Sequence, residues 1–119
     1  MLTEVMEALQ KIDENTFYGA VDSRMKETAW NYIVFDRGTF TRSETRASYS
    51  ETVNVHVVRE NFIPEGLAEQ VIEAVESLKG FRLVKGEHEY TYSVKPGTNA
   101  VVEMLSLEFV RARKRLANE

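Results

Sequence analysis

The sequence predicts an α+β domain in which two helices pack on a mostly antiparallel sheet of four to five strands. Two segments repeat apolar residues at steps of three and four, which is the spacing of a helix face. Other segments alternate apolar and polar residues, or concentrate β-branched and aromatic ones, as strands do. In chain order these segments read α-β-β-α-β-β-β. The 119 residues, of which 43% are hydrophobic, suffice for one core, so we expect a single domain over residues 1–119.

Both predicted helices are amphipathic. The first runs from Leu2 to Ile12, and the second begins at Pro64 and ends before Gly80. Proline suits the first turn of a helix, where no N–H is needed, and glycine readily takes the left-handed conformation that ends many helices. The apolar stripes consist of Leu2, Val5, Met6, Leu9 and Ile12 in the first helix and Leu67, Val71, Ala74, Val75 and Leu78 in the second. Each helix therefore has one face to bury.

The clearest strand covers residues 49–60, where Val53, Val55 and Val57 alternate with polar residues. A period of two places these valines on one face of a sheet. The segment 30–35 is apolar on both faces and too short for a core helix, so it is also predicted to be a strand. Further strands are predicted at 81–84, 87–95 and 99–111, with a short additional one at 16–21.

A long connection separates the first two main strands. Residues 36–48 are rich in Gly, Thr, Ser and Arg, so we expect a flexible hairpin loop there. Hairpin loops usually have about two to five residues. The strand that follows would extend about 40 Å, against a width of about 35 Å for a compact domain of this size. The hairpin would then overhang the body and expose strand edges, which a partner subunit could cover.

The composition excludes several classes of protein. With 15 Lys and Arg against 19 Asp and Glu, the net charge of -4 disfavours broad coating of nucleic acid but permits local basic patches. The chain has no cysteine, which excludes disulfides and cysteine-based zinc sites. Its glycines do not cluster into a phosphate-binding loop, so no cofactor is expected. No apolar run approaches the roughly 18 residues of a membrane span, so no membrane partner is expected.

The residues that carry chemistry form no catalytic pattern in the sequence. His56 and His88 fall on predicted strands with Glu87, Glu89 and Glu103 nearby, so a small metal-dependent enzyme at these strands is one alternative. No serine lies in a GxSxG or SxxK motif. Chance pairs of carboxylates are expected in a chain with 19 acidic residues. We therefore expect a non-enzyme with no catalytic, metal-binding or cofactor-binding residues.

Two basic groups and one acidic group are candidate contact sites. They are Arg37, Arg42 and Arg46 in the predicted loop, Arg111, Arg113, Lys114 and Arg115 near the C-terminus, and Glu65, Glu69, Glu73 and Glu76 on the outer side of the second helix. Arginine binds phosphate well, so a small nucleic-acid-binding module that uses the loop and C-terminal arginines is an alternative function. Copies of the chain could instead dock acidic face to basic face in a head-to-tail ring. An ordinary solvated loop and terminus is the third interpretation.

A resemblance to a known family is carried by the segments Trp30–Arg37, Val53–Glu60, Phe62–Gly66, Lys95–Asn99 and Val101–Glu103, together with Tyr49. The order of these segments and their pattern of residue types resemble those of small proteins from tailed phages and prophages with long non-contractile tails. The likeness extends over about residues 17–111. These proteins are minor tail or head–tail joining components, and the order of elements is similar to that of the tail-terminator proteins, which cap the tail tube as a hexameric ring.

The resemblance implies a tail-terminator-like fold and a structural function without chemistry. It implies a tail terminator or head–tail joining subunit that forms an oligomeric ring, with a hexamer favoured. The partners would be other copies of the chain, the tail-tube protein, the head connector and, transiently, DNA. The protein would be a virion component assembled in the cytoplasm of a bacterial host. Arg37, Arg42 and Arg46 would then contact either a neighbouring subunit or the DNA.

Overall fold

The computed structural model describes residues 2–20, 30–42 and 48–114, with side chains as far as Ala112. The elements are α1 (Leu2–Gln10), β1 (Thr16–Tyr18), β2 (Tyr32–Arg42), β3 (Ser48–Glu60), α2 (Leu67–Glu76), β4 (Phe81–Leu83), β5 (Tyr90–Val94) and β6 (Val101–Lys114). Within this part of the chain, no helix is both long and apolar enough to span a bilayer.

The strands form one sheet with the order β1-β2-β3-β6-β4, and β5 also pairs with β6. The β1–β2 pair is parallel, and the other four pairs are antiparallel. One edge of β6 lies along β3, whereas its other edge is shared between β5 near its start and β4 further along. As a result, β3 and β6 form the centre of the sheet.

Alternation along the strands decides which side chains enter the core. Val53, Val55 and Val57 of β3 are fully buried, as their spacing predicts. Opposite them lie Phe109, Leu107 and Leu105 of β6 in a directly paired register. The same core contains Val5 and Leu9 from α1 and Val71 and Val75 from α2. Both helices therefore pack on this face of the sheet, which we call the helix face. The other side is the open face.

The predicted α+β domain, with two helices on a mostly antiparallel sheet, agrees with the structure, but the number of strands differs. The described residues form six strands rather than four to five, because the short additional strand expected at 16–21 is present as β1, and the order becomes α-β-β-β-α-β-β-β. The additional strand β1 has only three residues and pairs in parallel with residues 33–35. A segment this short has no measurable periodicity, so its pairing depends on the neighbouring strand.

The predicted loop over residues 36–48 is wrong for most of its length. Residues 36–42 continue β2 and pair with residues 49–54 of β3, and Ser48 is already part of β3. Residues 43–47 lie outside the described part. Asp and Gly, which occupy positions 36 and 38, are depleted in strands, but pairing with a long neighbouring strand overrides that preference.

The extended hairpin makes the molecule elongated. Its dimensions are 53 × 31 × 22 Å and its radius of gyration is 15.9 Å, whereas a compact chain of 119 residues has a radius of about 13–14 Å. The side chains from Arg37 to Arg42 are all exposed, in contrast to the buried Ile33 and Phe35 earlier in β2. The far part of β2 therefore lies beyond the hydrophobic core.

A β-bulge interrupts the β2–β3 ladder within this hairpin. Arg37 pairs with Val53 and Phe40 with Glu51, so β2 has one residue more than β3 between these pairs. The Thr52 hydroxyl accepts a hydrogen bond of 2.7 Å from the backbone N–H of Thr39. A β-carbon at Gly38 would overlap that same hydroxyl. Only glycine therefore fits at position 38 while the bulge keeps this hydrogen bond.

We expect Gly38→Ala to lower the free energy of unfolding by about 1–3 kcal/mol, because the new methyl group displaces the Thr52 hydroxyl. Urea denaturation measures the change. In a Thr52→Ala background the overlapping atom is absent, so the same substitution should cost clearly less. Equal costs in both backgrounds would contradict this explanation, because coupled sites are not additive.

Candidate subunit-docking surfaces

Three arginines from distant parts of the sequence share one face of the hairpin. Arg37 pairs with Val53 and Arg111 with Glu51, and both partners point to the helix face. Arg42 pairs with Tyr49, two residues further along the same face. Directly opposed residues of antiparallel strands point to the same side, so all three arginines lie on the helix face. We call this region, with Phe40 and Tyr49, the hairpin surface.

Aromatic contacts order the side chains of the hairpin surface. The rings of Phe40 and Tyr49 stack with centroids 4.9 Å apart and an interplanar angle of 30°. The guanidinium of Arg111 lies 5.5 Å from the centre of the Phe81 ring, within cation–π range. Arg37 donates a hydrogen bond of 3.2 Å from Nε to the hydroxyl of Tyr18. These contacts orient the guanidinium groups of Arg37 and Arg111, and the side chains of Arg37 and Arg42 are both exposed.

The structure brings together only part of the predicted basic set. Arg37, Arg42 and Arg111 converge, although 69 positions separate Arg42 from Arg111 in the sequence. Arg113 and Lys114 occupy backbone positions opposite Tyr49 and Ser48, at the same end of the sheet. Arg46 and Arg115 lie outside the described residues. The convergence depends on the β3–β6 register, for which the sequence carries no signal.

The predicted acidic face of α2 is divided in the structure. Glu65, Glu69, Glu73 and Glu76 are all exposed, as expected. Glu76 is used within the fold, because its carboxylate accepts a hydrogen bond of 2.9 Å from the N–H of Leu83. Glu73 borders a groove between α2 and α1. Glu65 and Glu69 instead border a cleft at the start of α2 that Tyr90 of β5 also lines. Glu65 and Glu69 therefore lie beside β5, whereas Glu76 lies beside β4.

The strand β5 is unusual because every one of its side chains is exposed. Tyr90, Tyr92 and Val94 lie opposite Leu105, Glu103 and Val101 and so point to the helix face. Their exposed fractions are 50%, 63% and 59%. Phe62, which precedes α2, is 68% exposed, and Val101 is 42% exposed. We call the group formed by Phe62, Tyr90, Tyr92, Val94 and Val101 the β5 patch.

Glu103 of β6 lies within the β5 patch and forms hydrogen bonds both to the segment before α2 and to β5. Its carboxylate accepts a hydrogen bond of 2.8 Å from the backbone N–H of Ile63, which holds the segment before α2 against the sheet. A hydrogen bond between Glu103 and the Tyr92 hydroxyl raises the pKa of that phenol above its ordinary value. The β5 patch is therefore an aromatic surface with a negative centre, and Glu65 and Glu69 lie at its border.

Replacing Glu103 with Gln should lower the pKa of Tyr92, because the negative charge that opposes formation of the phenolate is removed. Ultraviolet titration of the phenolate band, with Tyr92→Phe to identify the transition, measures the change. The raised pKa stabilises the fold below the ordinary value of about 10, and this contribution is lost as the pH rises through the raised pKa. If Tyr92 titrates identically in both proteins, the assigned contact is wrong.

The open face of the sheet carries a polar row that sequence analysis missed. His56 Nδ1 lies 2.8 Å from Ser106 Oγ, and its Nε2 lies 3.0 Å from Asp36 Oδ2. The amide of Asn54 donates a hydrogen bond of 3.0 Å to the other oxygen of Asp36. Three neighbouring strands thus contribute a hydroxyl, an imidazole and a carboxylate in line. Ser106 is 50 positions from His56, so only the strand register could have identified the pair.

This row has the hydrogen-bonded order of a serine–histidine–carboxylate triad but not the surroundings of one. The backbone N–H of Ser106 donates to the carbonyl of Glu89 at 3.4 Å, inside the sheet. This N–H is therefore not available to the carbonyl oxygen of a substrate attacked by Ser106, where the oxyanion would form, and such donors supply much of the catalysis at a serine nucleophile. The row gives both ring nitrogens of His56 a hydrogen-bond partner, and these hydrogen bonds connect β2, β3 and β6.

The predicted histidine site does not form in the structure. His88 lies in the connection before β5 rather than in a strand, and its Nε2 lies 2.9 Å from the carbonyl oxygen of Val84. The ring nitrogens of His56 instead lie against Ser106 and Asp36. Over the described ranges, no group of three or more His, Cys, Asp or Glu side chains has the geometry to hold a metal ion.

The described residues define a small α+β domain with a six-stranded mixed sheet, in which the far part of β2 and all of β5 have exposed side chains. No protein-family model matches the chain, and a search of curated proteins finds no match.

Proposed function

We propose that this protein is a structural subunit of a phage tail, either a tail terminator or a head–tail joining protein, which works as an oligomeric ring. The observation that carries the proposal is the hairpin that extends beyond the hydrophobic core and gathers Arg37, Arg42 and Arg111 on one face. An exposed strand edge is a template for pairing with another chain, and a partner subunit is one way of covering it. The resemblance of the sequence to small phage tail proteins supports the same function.

The ring follows from size and shape. A domain with dimensions of 53 × 31 × 22 Å cannot surround a DNA duplex by itself, so any channel must be built by several copies. Copies in a closed ring each need two different contact surfaces. An elongated subunit with its contact surfaces at opposite ends meets that requirement. A hexamer with a tail-terminator-like fold is the arrangement that the resemblance favours, with the tail-tube protein and the head connector as its partners.

Solution mass tests this function. We expect light scattering over a wide range of concentrations to show a closed oligomer, or a monomer of 13.7 kDa that becomes a ring on the ends of purified tail tubes. Arg42→Glu should weaken assembly while leaving the melting temperature of the monomer nearly unchanged, because the Arg42 side chain is exposed. Thr41→Glu, on the opposite face of the same strand, is a control for added negative charge. A chain that stays monomeric throughout and ignores tubes would contradict the proposal.

A nucleic-acid-binding module is the second candidate, and the convergence of three arginines on one face favours it. In that case binding to duplex DNA should fall steeply as salt rises, because phosphate contacts release counterions. Arg42→Glu would then weaken DNA binding and leave the solution mass of the protein unchanged. The two functions are distinguished by which of these measurements the substitution changes.

A further inference from the structure

We infer that the β5 patch of one copy receives the hairpin surface of the next copy, so that subunits join head to tail through two different surfaces. The inference rests on the proposed function and names the contact that would build the ring. Its occupant is a second copy of this chain rather than another protein.

The first argument is position. The hairpin surface lies where β2 and β3 pair with the last part of β6, around residues 109–114. The β5 patch lies along the first part of β6, at residues 101–105, and on its opposite edge. The six-residue separation from 105 to 111 amounts to about 20 Å along the strand. One copy can therefore use both surfaces at once, which leads to a chain or a ring rather than a two-fold dimer.

The second argument is exposure. Every side chain of β5 is exposed, and in the described part of the chain β5 pairs only with β6, so its outer edge has no strand beside it. Tyr92 and Phe62, at 63% and 68% exposed, are large aromatic groups in contact with solvent. Large aromatic side chains are enriched at the interfaces of proteins relative to the rest of their surfaces. The strand edge and the aromatic side chains together favour an extended partner segment. Strand β2 of the hairpin is such a segment, because among the described residues its outer edge pairs with β1 only at residues 33–35.

The third argument is charge. The β5 patch contains Glu103 at its centre and Glu65 and Glu69 at its border. The hairpin surface carries Arg37, Arg42 and Arg111 beside the stacked rings of Phe40 and Tyr49. The hairpin surface also contains Glu51, which lies between Phe40 and Arg111 and is only 8% exposed, so its net charge is positive. Each surface thus combines aromatic side chains with a net charge, and the two net charges are opposite. Two copies of the same surface would repel each other, whereas the unlike pair attracts and fixes the register of docking.

Two double variants test this contact. In each of them one of the two surfaces is altered and the other is kept, and we call them half-blocked variants. Arg37→Glu/Arg42→Glu reverses charge on the hairpin surface and leaves the β5 patch intact. Tyr92→Arg/Glu69→Arg blocks the β5 patch and leaves the hairpin surface intact. Each variant alone should be monomeric under conditions in which the unmodified protein assembles. Mixed in equal amounts, the two should form a dimer of twice 13.7 kDa and nothing larger, because only one compatible pair of surfaces remains.

The control variant is Glu73→Arg, which reverses an exposed charge on α2 that lines the groove beside α1 and not the cleft beside Tyr90. It should assemble like the unmodified protein. The inference is overturned if the unmodified protein assembles but the mixture stays monomeric, or if both half-blocked variants still assemble alone. In either case the ring function stands and uses other surfaces. If the unmodified protein never assembles, with or without tail tubes, the proposed function itself fails.

Discussion

Phe109→Ala should lower the free energy of unfolding by about 3–5 kcal/mol, which we expect to be the largest effect of any single substitution considered. Phe109 is fully buried in β6, between Val53 of β3 on one side and Leu83 of β4 on the other. Truncation removes the buried ring and leaves a cavity that a sheet paired on both sides cannot close. A domain of this size has only about 5–15 kcal/mol of stability, so a large fraction would be lost.

Chemical denaturation measures this loss as a lower midpoint with an unchanged slope. The matched control is Phe62→Ala, which removes the same ring from a site that is 68% exposed. It should change the stability of the monomer by no more than about 0.5 kcal/mol. The control also distinguishes an effect on folding from an effect on assembly. Phe62 belongs to the β5 patch, so Phe62→Ala should weaken the assembly of subunits without destabilising the monomer. Equal losses of stability in both variants would contradict the position of Phe109 in the core.

The second large effect is expected at the ion pair between Arg59 and Asp13. Arg59 Nη2 donates to Asp13 Oδ2 at 2.8 Å, and the side chains are only 14% and 12% exposed. Arg59 Nη1 also donates to the carbonyls of Tyr32 and Val58, at 3.2 and 2.7 Å. The guanidinium thus connects the turn after α1 to strands β2 and β3. Asp13→Ala should cost about 3 kcal/mol, because it leaves a largely buried cation without its anion.

The double variant Asp13→Ala/Arg59→Met distinguishes a charge effect from a loss of packing. It removes both charges while keeping most of the side-chain length at position 59, so it should be more stable than Asp13→Ala alone. A comparison pair is Lys95 and Glu60, whose side chains are 32% and 26% exposed. Lys95→Met should cost less than Asp13→Ala, because water can solvate the carboxylate that remains. A double variant less stable than Asp13→Ala would show that packing, not charge, makes Arg59 important.

The sequence by itself determined which residues point inward. The alternation in β3 placed Val53, Val55 and Val57 on one face, and the helical spacing in α1 and α2 identified their buried stripes. These features depend on the repeat of the backbone, which is local and therefore visible in the order of residues. The two helices and the mostly antiparallel sheet follow from them. The acidic residues of α2 were likewise correctly expected to be exposed.

Only the tertiary structure decided which segments become neighbours. Residues 36–42 have a composition typical of a loop, yet they form a strand because a long β3 is available to pair with them. The convergence of Arg42 with Arg111, the row from Asp36 through His56 to Ser106, and the exposure of both faces of β5 all depend on strand register. The alternation along a strand indicates which face of the sheet each residue points to. It does not indicate which residue of the neighbouring strand lies beside it. Register is a property of two strands together, and it is set by the packing of the whole core.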